Sequence, residues 1–227
     1  FSRVNGVDST IQNLGLTKVG NLGAISNIGG LQTGALIGKT DGSGAVTTVR
    51  NVYSNLNVSG YRETGGLIGG QGFGTVKIYN SFSTGNITAT DTAFTANSTG
   101  GLVGYLSQYS RNTIDGSYAT GNVSGTNYVG GLVGRMYGGI TNSYATGTVT
   151  ASGGSAGGLI GELYGAYSLT ISRSYATGTV TGTGISVEAF GGLAGMTETS
   201  ISESYATGNV IANGASKVGG LVGWKKF

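Results

Sequence analysis

An all-β fold, a right-handed parallel β-helix (β-solenoid) of roughly seven rungs with about 30 residues each, is what this 227-residue chain predicts. Three observations carry it. A Gly-Gly-Leu-type cassette recurs seven times, as Gly34-Ala35-Leu36-Ile37-Gly38 and then around Leu67, Leu102, Leu132, Leu159, Leu193 and Leu221. A second cassette, Ser117-Tyr118-Ala119-Thr120-Gly121, recurs with centres at Tyr53, Phe82, Tyr144, Tyr175 and Tyr205, and successive cassettes lie 26 to 36 residues apart. A period of that size marks a stacked architecture, because one unit cannot bury its apolar face until a neighbour covers it. The residues themselves argue against helix: glycine costs a helix about 1 kcal/mol per site, whereas Thr, Val, Ile and Tyr suit strands.

In chain order, Ile11-Gln12-Asn13-Leu14-Gly15-Leu16 echoes the second cassette without its tyrosine and reads as an incomplete rung. In every later rung a β-branched residue stands four places before the aromatic: Val49, Ile78, Ile114, Ile140, Ile171 and Ile201. Four places keep two residues on one face of a regular strand, yet Arg173 and Glu203, which lie between, would not sit inside. A bulge or corner is therefore expected just after the Ile. Beyond it, Ser143, Ala145, Gly147 and Val149 fall on the inward face, and Tyr144, Thr146, Thr148 and Thr150 on the outward one. The Gly-Gly-Leu element makes a further short strand with Leu inward, and the glycines flanking each strand are expected to supply the positive φ of tight corners. Insertions fall at two corners, Lys39 to Thr48 and Ala89 to Thr99, where repeat proteins can place recognition. The last segment, Gly219 to Gly223 followed by Trp224-Lys225-Lys226-Phe227, stops part-way round a rung without a visible cap. The chain reads as one domain, residues 1–227, processed or trimmed from a longer product, since neither an initiator Met nor a signal peptide is present.

Composition narrows the function classes. Glycine is 47 of 227 residues, but the absence of proline and of a Gly-X-Y period excludes collagen. The 38% of apolar residues, at fixed places, argues against disorder. Twelve Lys and Arg against nine Asp and Glu give a net charge of +3, thinly spread, so nucleic acid is not an expected partner. No apolar run approaches the ~18 residues of a transmembrane segment. With no His and no Cys, the commonest general base, thiol nucleophile and zinc ligands are missing. The carboxylates are scattered, and Asp41-Gly42-Ser43-Gly44 lacks the repeated Asp of a calcium loop. No catalytic residue, metal or cofactor is expected; Arg173 and Glu203, at equivalent places in adjacent rungs, are expected to form a surface ion pair.

The paired cassettes resemble GLUG repeats, named for the Gly-Leu-(hydrophobic)-Gly element that recurs here as Gly-Leu-Val-Gly or Gly-Leu-Ile-Gly. The departures are Ala35 and the Gly-Leu-Ala-Gly of Gly192 to Gly195. The resemblance implies a bacterial surface or secreted protein with an adhesin-like β-helix. In GLUG-bearing immunoglobulin A peptidases it places the chemistry in a separate zinc domain, whose His-Glu-x-x-His site this chain lacks.

Two surfaces are the candidate sites. Tyr53, Phe82, Tyr118, Tyr144, Tyr175 and Tyr205 should stack as an aromatic column, either as an exposed stripe, the reading preferred, or as an internal ladder if the parity is off by one. Alternate residues beyond it give Asn55-Asn57-Ser59, Thr84-Asn86-Thr88, Thr120-Asn122-Ser124, Thr146-Thr148-Thr150, Thr177-Thr179-Thr181 and Thr207-Asn209-Ile211. On a β-helix these would make a flat grid of hydroxyls and amides, spaced about 4.8 Å between rungs, able to meet ice or a glycan. The primary expectation is a structural or adhesive extracellular protein at the cell surface. Its partners would be further copies of itself, stacked end to end, or a host or cell-surface ligand; ice or carbohydrate binding is the alternative.

Overall fold

Strands that recur at a fixed spacing can satisfy their backbone groups against the equivalent strand of the next repeat, and they do so here. The computed structural model describes residues 1–18, 23–27, 29–92, 97–107, 111–165 and 169–226, without the side chains of 185–187. Among the described residues there are strands and no helix. They form parallel ladders. The Gly-Leu strands run Ile37–Asp41, Ile68–Gln71, Val103–Leu106, Val133–Thr141, Ile160–Tyr164, Ala194–Thr197 and Val222–Lys225, each paired with the next, and Arg3–Asn5 pairs with the first. The aromatic ladder is seven deep, Gly15 pairing with Tyr53 and the stack then passing through Phe82, Tyr118, Tyr144 and Tyr175 to Tyr205. A third ladder carries Ile25, Val58, Ile87, Val123, Val149, Val180 and Val210.

The inward parity expected for the second cassette holds: Ser143, Ala145, Gly147 and Val149 are buried, and Thr146 and Thr148 are exposed. Two apolar columns fill the interior. One packs Leu36, Leu67, Leu102, Leu132, Leu159 and Leu193 with the β-branched column of Val49, Ile78, Ile114, Ile140 and Ile171. The other packs Val58, Ile87, Val123, Val149 and Val180 with Val129, Ala156 and Phe190. Each fully buried Leu or Ile contributes roughly 2 kcal/mol relative to exposure, and no rung alone could bury its own.

The corner after the Ile is present, and its chemistry is specific. Two places beyond the β-branched residue the backbone turns left-handed, at Asn13, Asn51, Asn80, Gly116, Asn142, Arg173 and Glu203, with φ between 47° and 59°. Asn and Gly tolerate this conformation best. The turn interrupts the backbone ladder, and a serine repairs it. The main-chain N–H of Ser81 donates to Ser117 Oγ, that of Ser117 to Ser143 Oγ, and that of Ser143 to Ser174 Oγ, at 3.1–3.2 Å. Each hydroxyl in turn donates to the carbonyl two residues back, as Ser143 does to Thr141 at 2.6 Å and Ser174 to Ser172 at 2.8 Å.

The cassette glycines work differently from the expectation. Gly121, Gly147, Gly178 and Gly208 are not among the positive-φ residues. A Cβ on any of them would overlap the carbonyl of the equivalent glycine one rung back: Gly85, Gly121, Gly147 and Gly178 respectively. Close backbone approach, not positive φ, requires glycine there. The second glycine of a Gly-Gly pair is confined likewise wherever a further rung covers it: a Cβ on Gly131 would run into the Gly158 carbonyl and the Ala145 methyl, and one on Gly158 into the Gly192 carbonyl and the Ala176 methyl. The two cassettes thus recur together because the alanine of one packs on the glycine pair of the other.

The Lys39 to Thr48 insertion is mostly strand, Ile37–Asp41 and Val46–Ser54, joined by a turn in which the Ala45 N–H donates to the Gly42 carbonyl at 3.0 Å and Gly44 has φ 79°. Val46, Thr47 and Thr48 pair with Thr75, Val76 and Lys77 and extend the ladder there instead of looping out. The centre of the Ala89 to Thr99 insertion, residues 93–96, lies outside the described residues, as does Phe227.

Candidate functional site

The aromatic column is built by the short strands Phe82–Ser83, Tyr118–Ala119, Tyr144–Ala145, Tyr175–Ala176 and Tyr205–Ala206, stacked on Tyr53 of the strand Val46–Ser54. The partner of each ring in sequence, Ser83 or Ala119 or their equivalents, points inward, which turns the rings outward. Ring centroids are 4.6–5.1 Å apart and planes lie within 2–11° of parallel. Tyr53 and Tyr205 are 39% and 51% exposed; the rings between are half-buried by their neighbours. The column is therefore both surface and ladder. Stacking occupies the ring faces, so solvent meets edges and phenol hydroxyls. Burial, with the neighbouring phenols a smaller cause, raises the Tyr144 and Tyr175 pKa values above the usual 10.0.

The grid residues face outward. Thr84, Asn86, Thr88, Thr120, Asn122, Ser124, Thr146, Thr148, Thr177, Thr207 and Asn209 are exposed, and Thr150, Thr179 and Thr181 partly so. The surface is not the flat grid expected, however. The chain bends at Gly85, Gly121, Gly147, Gly178 and Gly208, between the first and second grid positions of each rung. Thr84, Thr120, Thr146, Thr177 and Thr207 thus flank the aromatic ladder, while the later positions of each rung belong to the valine ladder. Along that second face an asparagine ladder runs: the main-chain N–H groups of Asn86, Asn122 and Thr148 donate to Oδ1 of Asn57, Asn86 and Asn122 at 2.9, 3.0 and 3.0 Å.

Arg173 and Glu203 do face each other, Nη1 to Oε2 at 3.7 Å, both well exposed. Arg173 Nε also donates to Asn142 Oδ1 at 2.8 Å. Asp41, in the calcium-like sequence, instead meets Arg3 at 2.8 Å and Lys39 at 3.0 Å, and the Lys39 hydrogen bond holds its pKa below the ordinary carboxylate value.

Sequence reasoning missed two glutamates, Glu162, which is buried, and Glu63, which is partly so. They lie where the strand before each Gly-Gly and the strand after it converge. There Arg135 lies over the Tyr128 and Tyr164 rings at 4.6 and 4.5 Å, and Lys217 over Trp224 at 4.1 Å. The Glu63 carboxylate fills the space a side chain on Gly70 would need. Glu162, its side chain only 3% exposed, has Arg135 Nε at 2.9 Å and Lys226 Nζ at 3.9 Å. The Arg135 N–H is not aimed at that oxygen, so the contact is an ion pair without a directed hydrogen bond. Desolvation dominates: it raises Glu63 to about 6 and Glu162 to about 7. The available signal was a carboxylate at a strand position between apolar neighbours, Ile160-Gly161-Glu162-Leu163.

The family profile described as the GLUG motif matches residues 125–150. That span contains the Tyr128–Gly130 strand, the Gly-Gly-Leu corner, the left-handed Asn142, the serine and Tyr144. The same set stacks in register on both sides of it, so the chain is a β-solenoid whose other rungs resemble the matched GLUG motif. Halomucin of Haloquadratum walsbyi (strain DSM 16790 / HBSQ001) is 36% identical over 150 residues, which are 61% of this chain and 2% of that protein. A crystal structure of a Bacteroides ovatus protein proposed to be an immunoglobulin A1 protease superposes with a TM-score of 0.59 at 20% identity, covering 92% of this chain and 62% of that one. The latter likeness concerns the fold. The chain thus spans a small part of the halomucin sequence and less than two thirds of the solved structure. No described helix is long and apolar enough to cross a membrane.

Proposed function

We propose that this chain is a structural segment of an extracellular or cell-surface protein, an adhesin-like solenoid that holds and spaces other surfaces. One observation carries the reading: nearly every recurring residue is engaged in rung-to-rung stacking. The serine repairs the ladder, the aromatic stacks, the alanine and glycines permit close approach, and Leu and Ile fill the core. A repeated chemical group left over for catalysis is not evident. The two glutamates with raised pKa do not form a glycosidase pair. Three pairings, Thr64–Thr99, Thr99–Val129 and Val129–Ala156, lead from the strand of Glu63 to the strand before the Gly157-Gly158 corner, and the strand of Glu162 lies beside Val129. The two carboxylates are thus two to three rung steps, or about 10–14 Å, apart along the axis, against at most about 9.5 Å in such pairs.

Val218 and Leu221 of the last described rung are exposed where another rung would cover them. Such a rung could come from the same polypeptide or from a second copy. Negative-stain electron microscopy of the purified 227 residues at micromolar concentration tests this. Threads support self-stacking and a fibre role; short rods leave display or adhesion to a partner. Cleavage of a polysaccharide by the purified chain would overturn the structural reading. The alternative, binding of ice or carbohydrate, draws support from the in-register hydroxyl and amide rows; the bend at each glycine and the covered ring faces weigh against it. Thr148→Tyr and Thr179→Tyr together should abolish any ice shaping or glycan retention that depends on those rows.

A further inference from the structure

The asparagine ladder has a second property, which its hydrogen bonds leave open. Asn57-Val58-Ser59, Asn86-Ile87-Thr88 and Asn122-Val123-Ser124 each read Asn-x-Ser/Thr, the acceptor pattern for N-linked glycan transfer. They lie in register on three consecutive rungs, Val58 pairing with Ile87 and Ile87 with Val123. In an extended strand residues two apart share a face, so each hydroxyl stands on the same outward face as its asparagine. Asn86, Thr88, Asn122 and Ser124 are exposed, and Asn57 and Ser59 partly so.

We propose that Asn57, Asn86 and Asn122 form a stripe of N-glycan acceptors along one face of the solenoid. The amide geometry favours it. Each Oδ1 accepts the N–H of the next rung, whereas no Nδ2 of the three has a partner among the described residues. Transfer consumes only the free atom. Nδ2 bonds to the anomeric carbon of a sugar carried on a lipid phosphate or pyrophosphate. The carbon–oxygen bond to that phosphate breaks, the lipid phosphate leaves, and the Nδ2 proton passes to the transferase's base. Oδ1 stays an amide oxygen, so the ladder bond survives.

A fourth match, Asn97-Ser98-Thr99, is an internal control. All three residues are buried, and Asn97 Nδ2 points to the Asp91 carbonyl at 3.5 Å. Stems one rung apart, about 4.8 Å, crowd each other, so complete occupancy of all three is not expected.

Occurrence of the modification in the native host rests on the extracellular reading; acceptor competence does not, and it can be measured separately. The full chain, carrying one control Asn-x-Thr in an added flexible tail, is secreted from a eukaryotic host and mapped by glycopeptide mass spectrometry. Glycan at one or more of Asn57, Asn86 and Asn122, none at Asn97, and loss of the corresponding mass in Asn57→Gln, Asn86→Gln and Asn122→Gln are expected. The modified chain should melt within a few degrees of the enzymatically deglycosylated one. A glycosylated tail beside an unmodified column, or glycan at Asn97 in folded secreted protein, would overturn the proposal whatever the native location proves to be.

Discussion

Ser143 is a hydroxyl at an inward position, where a polar group without partners would cost about 1–3 kcal/mol. Its oxygen accepts the Ser117 N–H at 3.1 Å and its proton goes to the Thr141 carbonyl. Ser143→Ala should therefore destabilise by about 1–3 kcal/mol in chemical denaturation, because it strands a buried N–H. Arg173 and Glu203 are the opposite case. Each holds a left-handed φ, 47° and 49°, that suits Asn or Gly, and their mutual ion pair at 3.7 Å is worth under ~1 kcal/mol. Glu203→Gly should leave stability unchanged or raise it by about 1 kcal/mol; a loss of more than that would show that the pair outweighs the backbone strain. Glu63 and Glu162 set a pH dependence. Their folded pKa values, about 6 for Glu63 and about 7 for Glu162, lie above the ordinary 4.5. Folding therefore favours their protonated forms, and this stabilisation is full below about 4.5 and lost as pH rises through 6 and 7. A melting temperature that falls between pH 5 and pH 8 is expected, with Glu162→Gln removing the larger part of the fall, on the order of 2 kcal/mol.

Among elements, the Thr-Gly corner and the Gly-Gly corner decide how closely rungs approach. Gly147→Ala places a methyl against the Gly121 carbonyl, backbone that can yield only by parting two rungs. A cost of about 1–3 kcal/mol or more is expected. The same change at Gly158 meets the Gly192 carbonyl and the Ala176 methyl, whereas at Gly220 nothing lies within 4 Å. Gly158→Ala should destabilise as Gly147→Ala does, and Gly220→Ala should stay within about 0.5 kcal/mol of the parent. Equal effects at the two sites would mean that the penalty comes from glycine's own backbone and not from the rung beyond.

For the molecule as a stack, each rung touches its neighbours, so stability is a sum of rung and interface terms. Removing residues 118–143 joins Ser117 to Tyr144, which occupies Tyr118's register position. The shortened chain should keep a strand-dominated circular dichroism spectrum and melt cooperatively at a lower temperature. Collapse to an unfolded chain would show instead that the rungs are not interchangeable.

The solenoid class, the number of rungs, the inward Leu and Ile columns and the corner after the Ile were all legible in the residues. So was the Arg173–Glu203 contact. Each depends on a period that local chemistry repeats: alternation for facing, spacing for stacking, and charge at a position unfit for a core. Other features arise between residues distant in sequence. The role of glycine at the corners depends on where the next rung's carbonyl lies, 26 residues away for Gly147 and Gly121. The serine ladder exists because a left-handed turn breaks backbone pairing at one height of every rung. The covered ring faces, the bend through the hydroxyl rows and the desolvation of Glu63 and Glu162 follow from how rungs meet and how two strands converge outside the Gly-Gly corner. A one-dimensional pattern names the residues that share a face; the backbone path through space decides what that face touches, and hence which groups are free to bind and which are held in the stack.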